Sequence, residues 1–137
     1  MSDHRAVIAM RKAQGGFTST YLHLQGHQAS NKLREHYADA KAVAALIKLG
    51  DLANLGDAPA TCVSFHRDHD WDWDIVKPAH AKTSEQLARH ALALGAEFIY
   101  LFTDEQWVVL DVKYLAQWSS RDRRYVPSTA LVEAMAA

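Results

Sequence analysis

The sequence predicts an α+β protein: an antiparallel or mixed sheet of about five strands with helices packed on one face, in the order ββαα-β-α-ββ-α. Strand-like runs stand at RAVIAM, FTSTYLHL, EFIYLF and WVVLDV. Helical spacing of apolar residues marks residues 27–50 and 83–94. Glycines fall where one period gives way to the other. A chain of 137 residues is long enough to bury a core without staples, and it reads as a single domain, 1–137.

The first two strands are joined through RKAQGG, where Gly15 and Gly16 supply the positive backbone angles of a hairpin turn. The second strand alternates, with Phe17, Ser19, Tyr21 and His23 on one side and Thr18, Thr20, Leu22 and Leu24 on the other. Past Gly26 the period becomes helical. Leu33 and Tyr37 form one face, and Val43, Leu46 and Ile47 form another. Ser30 is placed to cap the first helix and Asp39 the second, and Gly50 to end it. DLANLGDAP is a compact turn whose Leu52 and Leu55 tuck under the helices. Residues 60–66 form the third strand. KTSEQLARHALALG is a helix, with Thr83 and Gln86 as its capping box, Leu87, Ala91 and Leu94 as its buried stripe, and Gly95 as its stop. EFIYLF and WVVLDV flank the turn TDEQ as a second hairpin. PSTALVEAMA is a short helix docking through Leu131, Val132 and Met135.

Composition excludes several function classes. A formal charge of −1 argues against a broad nucleic-acid face and against whole-surface DNA mimicry. The longest N-terminal apolar run, Ala6 to Met10, is too short for a signal peptide or a membrane span, so a cytoplasmic location in the host cell and no membrane partner are expected. Cys62 is the only cysteine, which forbids an intrachain disulfide and suits a reducing compartment. On a strand, Cys62 and His66 share a face but lie about 13 Å apart, so buried packing is preferred to a nucleophilic pair. G-x-S-x-G, G-x-x-x-x-G-K-[ST], G-x-G-x-x-G and H-E-x-x-H are all absent. No catalytic residue is assigned, no cofactor is expected, and the eight histidines are scattered.

The most individual stretch is HRDHDWDWD, residues 66–74, with aspartate at every second position. As an extended chain it would turn Asp68, Asp70, Asp72 and Asp74 one way and Arg67, His69, Trp71 and Trp73 the other. Successive carboxylates on one side would stand about 6.6 Å apart, too far to share one ion. The glycine that lets a calcium loop curl is missing between Gly56 and Gly95. A metal would need donors from elsewhere, with His23, His27 and His36 the ones to check, and none is assigned. Packing of the tryptophans in the core is the plain alternative. Read as a surface, the stretch offers a partner-binding edge in Arg67, Asp68, Asp70, Trp71, Asp72, Trp73 and Asp74: carboxylates for a basic groove, tryptophans as anchors. A second charged spot, RDRR at 121–124, lies between Trp118 and Tyr125. Arg121, Arg123 and Arg124 with these aromatics could bind nucleic acid directly, or could pair with the aspartates within the molecule.

YLHLQGH at 21–27, EHY at 35–37, LIKLGDLANLG at 46–56 and FHRD at 65–68, in that order, resemble a family of small uncharacterised bacteriophage and prophage proteins. Its pattern is a Tyr-x-His-Trp-x-Gly-Tyr strand end, a Leu-Gly-Asp-Leu-Ser-x-Leu-Gly turn and an aromatic-x-Arg-Asp strand. The resemblance spans about residues 17–68, extended weakly by the second hairpin. Leu24 and His27 replace the family's Trp and Tyr, and HDWDWD replaces its Arg-Gly-Glu. The resemblance implies a mobile-element origin and a host protein or nucleoprotein complex as partner. The expectation is a non-enzymatic phage accessory protein, an inhibitor of a bacterial defence system such as CRISPR. The alternatives are a nucleic-acid-binding protein and a metal-dependent hydrolase.

Overall fold

The computed structural model describes residues 4–112 and 116–136. Its strands are β1 (Ala6–Arg11), β2 (Phe17–Leu22), β3 (Leu52–Asn54), β4 (Val63–Ser64), β5 (Ala79–Ala81), β6 (Phe98–Thr103), β7 (Gln106–Asp111), β8 (Ala116–Ser119) and β9 (Arg124–Pro127). The helices are α1 (Ala29–His36), α2 (Ala40–Ile47), α3 (Phe65–His69), α4 (Trp73–Val76), α5 (Ser84–Ala93) and α6 (Thr129–Ala136). Single 3-10 turns stand at Gly26–Gln28 and Pro59–Thr61.

The class is α+β, as expected. The sheet is mixed and has seven strands in the order β4-β3-β2-β1-β6-β7, with β5 paired to the outer edge of β2 and β8–β9 as a separate ribbon. β1 runs antiparallel to β2 and parallel to β6. The outer edge of β2 is shared: Phe17–Ser19 pair with β5, and Leu22 pairs with Leu52 of β3.

Helices cover both faces, not one. On the first face Ile8, Leu22 and Tyr100 pack against Leu33 of α1 and Val43 and Leu46 of α2. On the second, Val7, Ala9, Ile99 and Leu101 pack against Leu87 and Ala91 of α5 and Leu131 and Met135 of α6. The reason lies in the central strands. Ala6 through Ala9 are fully buried and Ile99 through Phe102 nearly so, and strands covered on both sides need continuous rather than alternating apolar residues. RAVIAM and EFIYLF are such runs.

Many local expectations hold. Gly15 and Gly16 take positive φ in the first hairpin, and Gly50 and Gly95 do so after their helices. Asp39 caps α2 by accepting from the Ala42 N–H at 2.8 Å. Thr83 caps α5, while the Gln86 side chain accepts from Lys82 N–H, one residue before the capping box would place it. Leu52 and Leu55 are buried, although Leu52 opens a short strand inside what reads as a turn. Ser30 does not cap α1. The chain enters that helix directly from the preceding 3-10 turn, so the helix starts at Ala29 and no extended residue remains to act as a cap. The strand expected at 60–66 shrinks to Val63–Ser64, because Pro59 opens a 3-10 turn and Ser64 caps a helix immediately afterwards.

A candidate partner-binding lobe

Residues 66–74 are not an extended two-faced edge. Ser64 is buried and extended, and its Oγ accepts from Arg67 N–H at 3.1 Å while donating to the Leu49 carbonyl at 3.2 Å. That cap turns the chain into α3, a helix of one turn. Asp70, at φ 60, ends it, and the Trp71 N–H returns to the Phe65 carbonyl at 3.0 Å. His66 Nδ1 donates to the Trp71 carbonyl at 2.8 Å, which fixes its tautomer. Asp72 then caps α4 through Asp74 N–H at 3.0 Å. Aspartates that would spoil a strand here serve as helix ends, where short acceptor side chains are favoured.

The excursion begins and ends on one residue. Phe65 N–H donates to the Asp51 carbonyl at 3.2 Å, and Asp51 N–H donates to the Val76 carbonyl at 2.7 Å. The Asp51 carboxylate accepts from Tyr21 N–H at 3.1 Å, filling the stretch of β2 edge between β5 and β3. Burial pushes this carboxyl up from 3.8 to about 6, against the pull of the Tyr21 N–H. Gly50 sits beneath the lobe at φ +76, where an added Cβ would lie 2.5 Å from the Val76 carbonyl and 3.0 Å from the Trp73 ring. Phe65–Val76 is thus a closed lobe stapled to the start of β3.

The expected site residues divide into two groups. Arg67 and Asp68 are occupied internally. The guanidinium grips Asp68 at 2.9 Å and donates to the carbonyls of Pro59, at 2.8 Å, and Cys62. Asp68 also accepts from Ser64 N–H at 2.8 Å. The Arg67 bond, reinforced by that N–H, holds Asp68 below the usual carboxylate range, and the same pairing raises Arg67. Asp70, Trp71, Asp72, Trp73 and Asp74 are all exposed. Trp71 is 49% and Trp73 38% accessible, so neither is core. Asp74 faces Lys77 at 3.8 Å, a loose surface pair.

Residues outside the expected set complete the surface. Phe65 lies between Trp71, at 4.7 Å, and His23, at 6.1 Å, and the His23 ring bonds the Tyr21 hydroxyl at 2.8 Å. His66 meets Trp73 edge-on at 5.0 Å. Ile75, two residues on in α4, is 71% exposed. Tyr21 and His23 were legible as same-side neighbours on a strand. Phe65 and Ile75 were not, because their places depend on the turn of α3 and on α4. Three of the quoted motif segments meet at this base: Tyr21 and His23, Gly50 and Asp51, and Phe65 through Asp68.

The other candidates lie apart. In the β8–β9 ribbon Trp118 pairs across from Tyr125, their rings 5.4 Å apart and both exposed. Arg121 pairs with Asp122 at 3.3 Å and holds that carboxyl below its usual range. Arg123 sits at the tip with φ 52, and Arg124 opens β9. Among the described residues no ion pair joins these arginines to the aspartates of the lobe, so the internal pairing is absent there. The histidines considered as metal donors diverge. His23 bonds Tyr21, His27 meets the His4 ring at a tilt with centroids 3.8 Å apart, and His36 faces Asp57 at 3.6 Å. Among the described residues no three His, Cys, Asp or Glu side chains gather as ligands would. Cys62 is buried; its Sγ lies 3.6 Å from the Tyr37 hydroxyl and accepts from Gly56 N–H at 3.2 Å. Burial, then the Cys62 contact, raises Tyr37. His66 is bonded elsewhere, so no Cys–His pair forms.

Among the described residues no helix is long and apolar enough to cross a membrane. No protein-family model matches the chain, and neither does any curated protein or solved structure.

Proposed function

We propose that the protein is a binding protein that engages a host protein or nucleoprotein complex through the Phe65–Val76 lobe, in the manner of a phage accessory protein that blocks a bacterial defence system. The observation carrying this reading is the exposure of Trp71, Trp73 and Ile75 on a lobe whose backbone is stapled to Asp51 at both ends. Large apolar side chains held rigidly in water cost little further entropy when a partner covers them. Asp70, Asp72 and Asp74 alternate with the tryptophans along the chain, exposed and without internal partners of comparable strength to the Arg67–Asp68 pair. They give the rim a negative potential, which suits a groove lined with arginine and lysine. The defence-inhibitor part rests on the resemblance alone, by analogy with phage accessory proteins.

The test is the double variant Trp71→Ala/Trp73→Ala. The variant should still unfold in one cooperative transition with only a modest loss in its melt, because neither side chain belongs to either core cluster. Capture of a partner from bacterial extract by the immobilised parent should be lost with the variant, each anchor being worth about 2 kcal/mol or more. A variant that unfolds would mean that the tryptophans are core, and retained capture would place the interface elsewhere.

A further inference from the structure

Between the end of α5 and the β8–β9 ribbon lies a cleft of about 690 Å³, within the range of roughly 300–1,000 Å³ typical of small-molecule sites. Leu92, Ala96, Val112, Ala116 and Pro127 give it an apolar lining, and the Tyr125 ring adds an aromatic wall. Two guanidiniums, Arg89 and Arg124, also line it, and among the described residues no carboxylate does.

The two arginines are held differently. Arg89 places Nε and Nη2 on Glu85, at 3.1 and 2.9 Å, a fork that orients the guanidinium plane and leaves Nη1 available. Arg124 makes no hydrogen bond or ion pair among the described residues. Asp122 answers its charge only through a longer-range attraction, so its N–H donors stay open toward a guest; a neutral apolar guest would leave those donors unused, and a cation would meet two like charges. An anion can accept from Arg124 and from the remaining Nη1 of Arg89 while its body covers the lining.

We propose that this cleft binds a small amphipathic organic anion, its carboxylate or phosphate head on Arg124 and Arg89 and its apolar body against Tyr125, Leu92 and Val112. The site is separate from the Phe65–Val76 lobe, and neither proposal depends on the other. The sequence hid it, because its walls come from a helix and a ribbon about thirty positions apart.

The experiment titrates the intact chain with 8-anilinonaphthalene-1-sulfonate, followed by fluorescence, against its uncharged counterpart N-phenyl-1-naphthylamine. One saturable site preferring the sulfonate is expected. Arg124→Gln should weaken sulfonate binding about tenfold or more, the worth of one charge-assisted hydrogen bond. Ala93→Trp, at an exposed position of α5 that lines the cleft, should block it with a near-parental melt. Should Ala93→Trp fail to fold, Arg124→Gln alone decides. Displacement by decanoate would assign an aliphatic carboxylate, and displacement by adenosine monophosphate a phosphate ester carrying an aromatic base. The proposal is overturned by no saturable binding, by equal affinity for the neutral probe, by unchanged binding in Arg124→Gln, or by displacement with neither competitor.

Discussion

Asp51 ties three parts of the molecule together through its N–H, its carbonyl and its carboxylate, and the last of these titrates in an unusual range. Because burial disfavours the charged form, the folded chain holds this proton more tightly than the unfolded chain does. Its contribution to stability is therefore fully present below about pH 4 and is lost as pH rises through about 6. With solvent screening at this partly exposed group allowed for, the loss is on the order of 1 kcal/mol. Asp51→Asn keeps an acceptor for Tyr21 N–H but cannot ionise. Denaturant melts from pH 4 to 7 should show the parent losing stability relative to that variant, and a flat difference would contradict the assignment. Gly50→Ala acts on the same staple. Left-handed backbone costs alanine about 1–2 kcal/mol, and the Cβ contact at 2.5 Å must push Val76 away. Faster amide exchange across Phe65–Val76 should accompany that loss of stability.

At the scale of elements, the β6–β7 hairpin turns on Asp104 and Glu105, both at positive φ without a glycine. This two-residue geometry favours Asn-Gly. Asp104→Asn/Glu105→Gly should raise stability by about 1 kcal/mol, and unchanged or lower stability in denaturant melts would mean the turn carries no such strain. Both long hairpins, α2 with its cap and stop, and α5 were legible because each rests on local signals: a turn residue, a capping side chain and one clear period. The lobe was not. Alternation in HRDHDWDWD imitates a strand, yet the decision is made by Ser64 and Asp72 as helix caps and by Asp70 in a left-handed turn, all of which read equally well as ordinary polar residues. The exposure of Trp71 and Trp73 was an open alternative in the sequence, and the identity of the acids doing structural work, Asp68 and Asp72, was hidden with it.

For the whole molecule, the expectation of one helix-covered face failed where apolar runs should have been weighed by continuity. Two adjacent parallel strands, buried on both sides, demand a helical layer on each face. That layering has a functional consequence. α1 and α2 cover one side, α5 and α6 the other, and the lobe leaves the sheet at the β3–β4 end, seated on the stop of α2 with none of its side chains in either core cluster. A partner can thus cover Trp71 and Trp73 without disturbing either core. The most direct measurement is the affinity of a captured partner for the parent chain, for Trp71→Ala/Trp73→Ala and for Asp70→Asn/Asp72→Asn/Asp74→Asn, at low and high salt. Binding through the lobe should fall on the order of 1,000-fold in the tryptophan variant, two anchors of about 2 kcal/mol each. The asparagine variant should associate more slowly and with a weaker salt dependence. Equal affinity of all three chains would contradict the account.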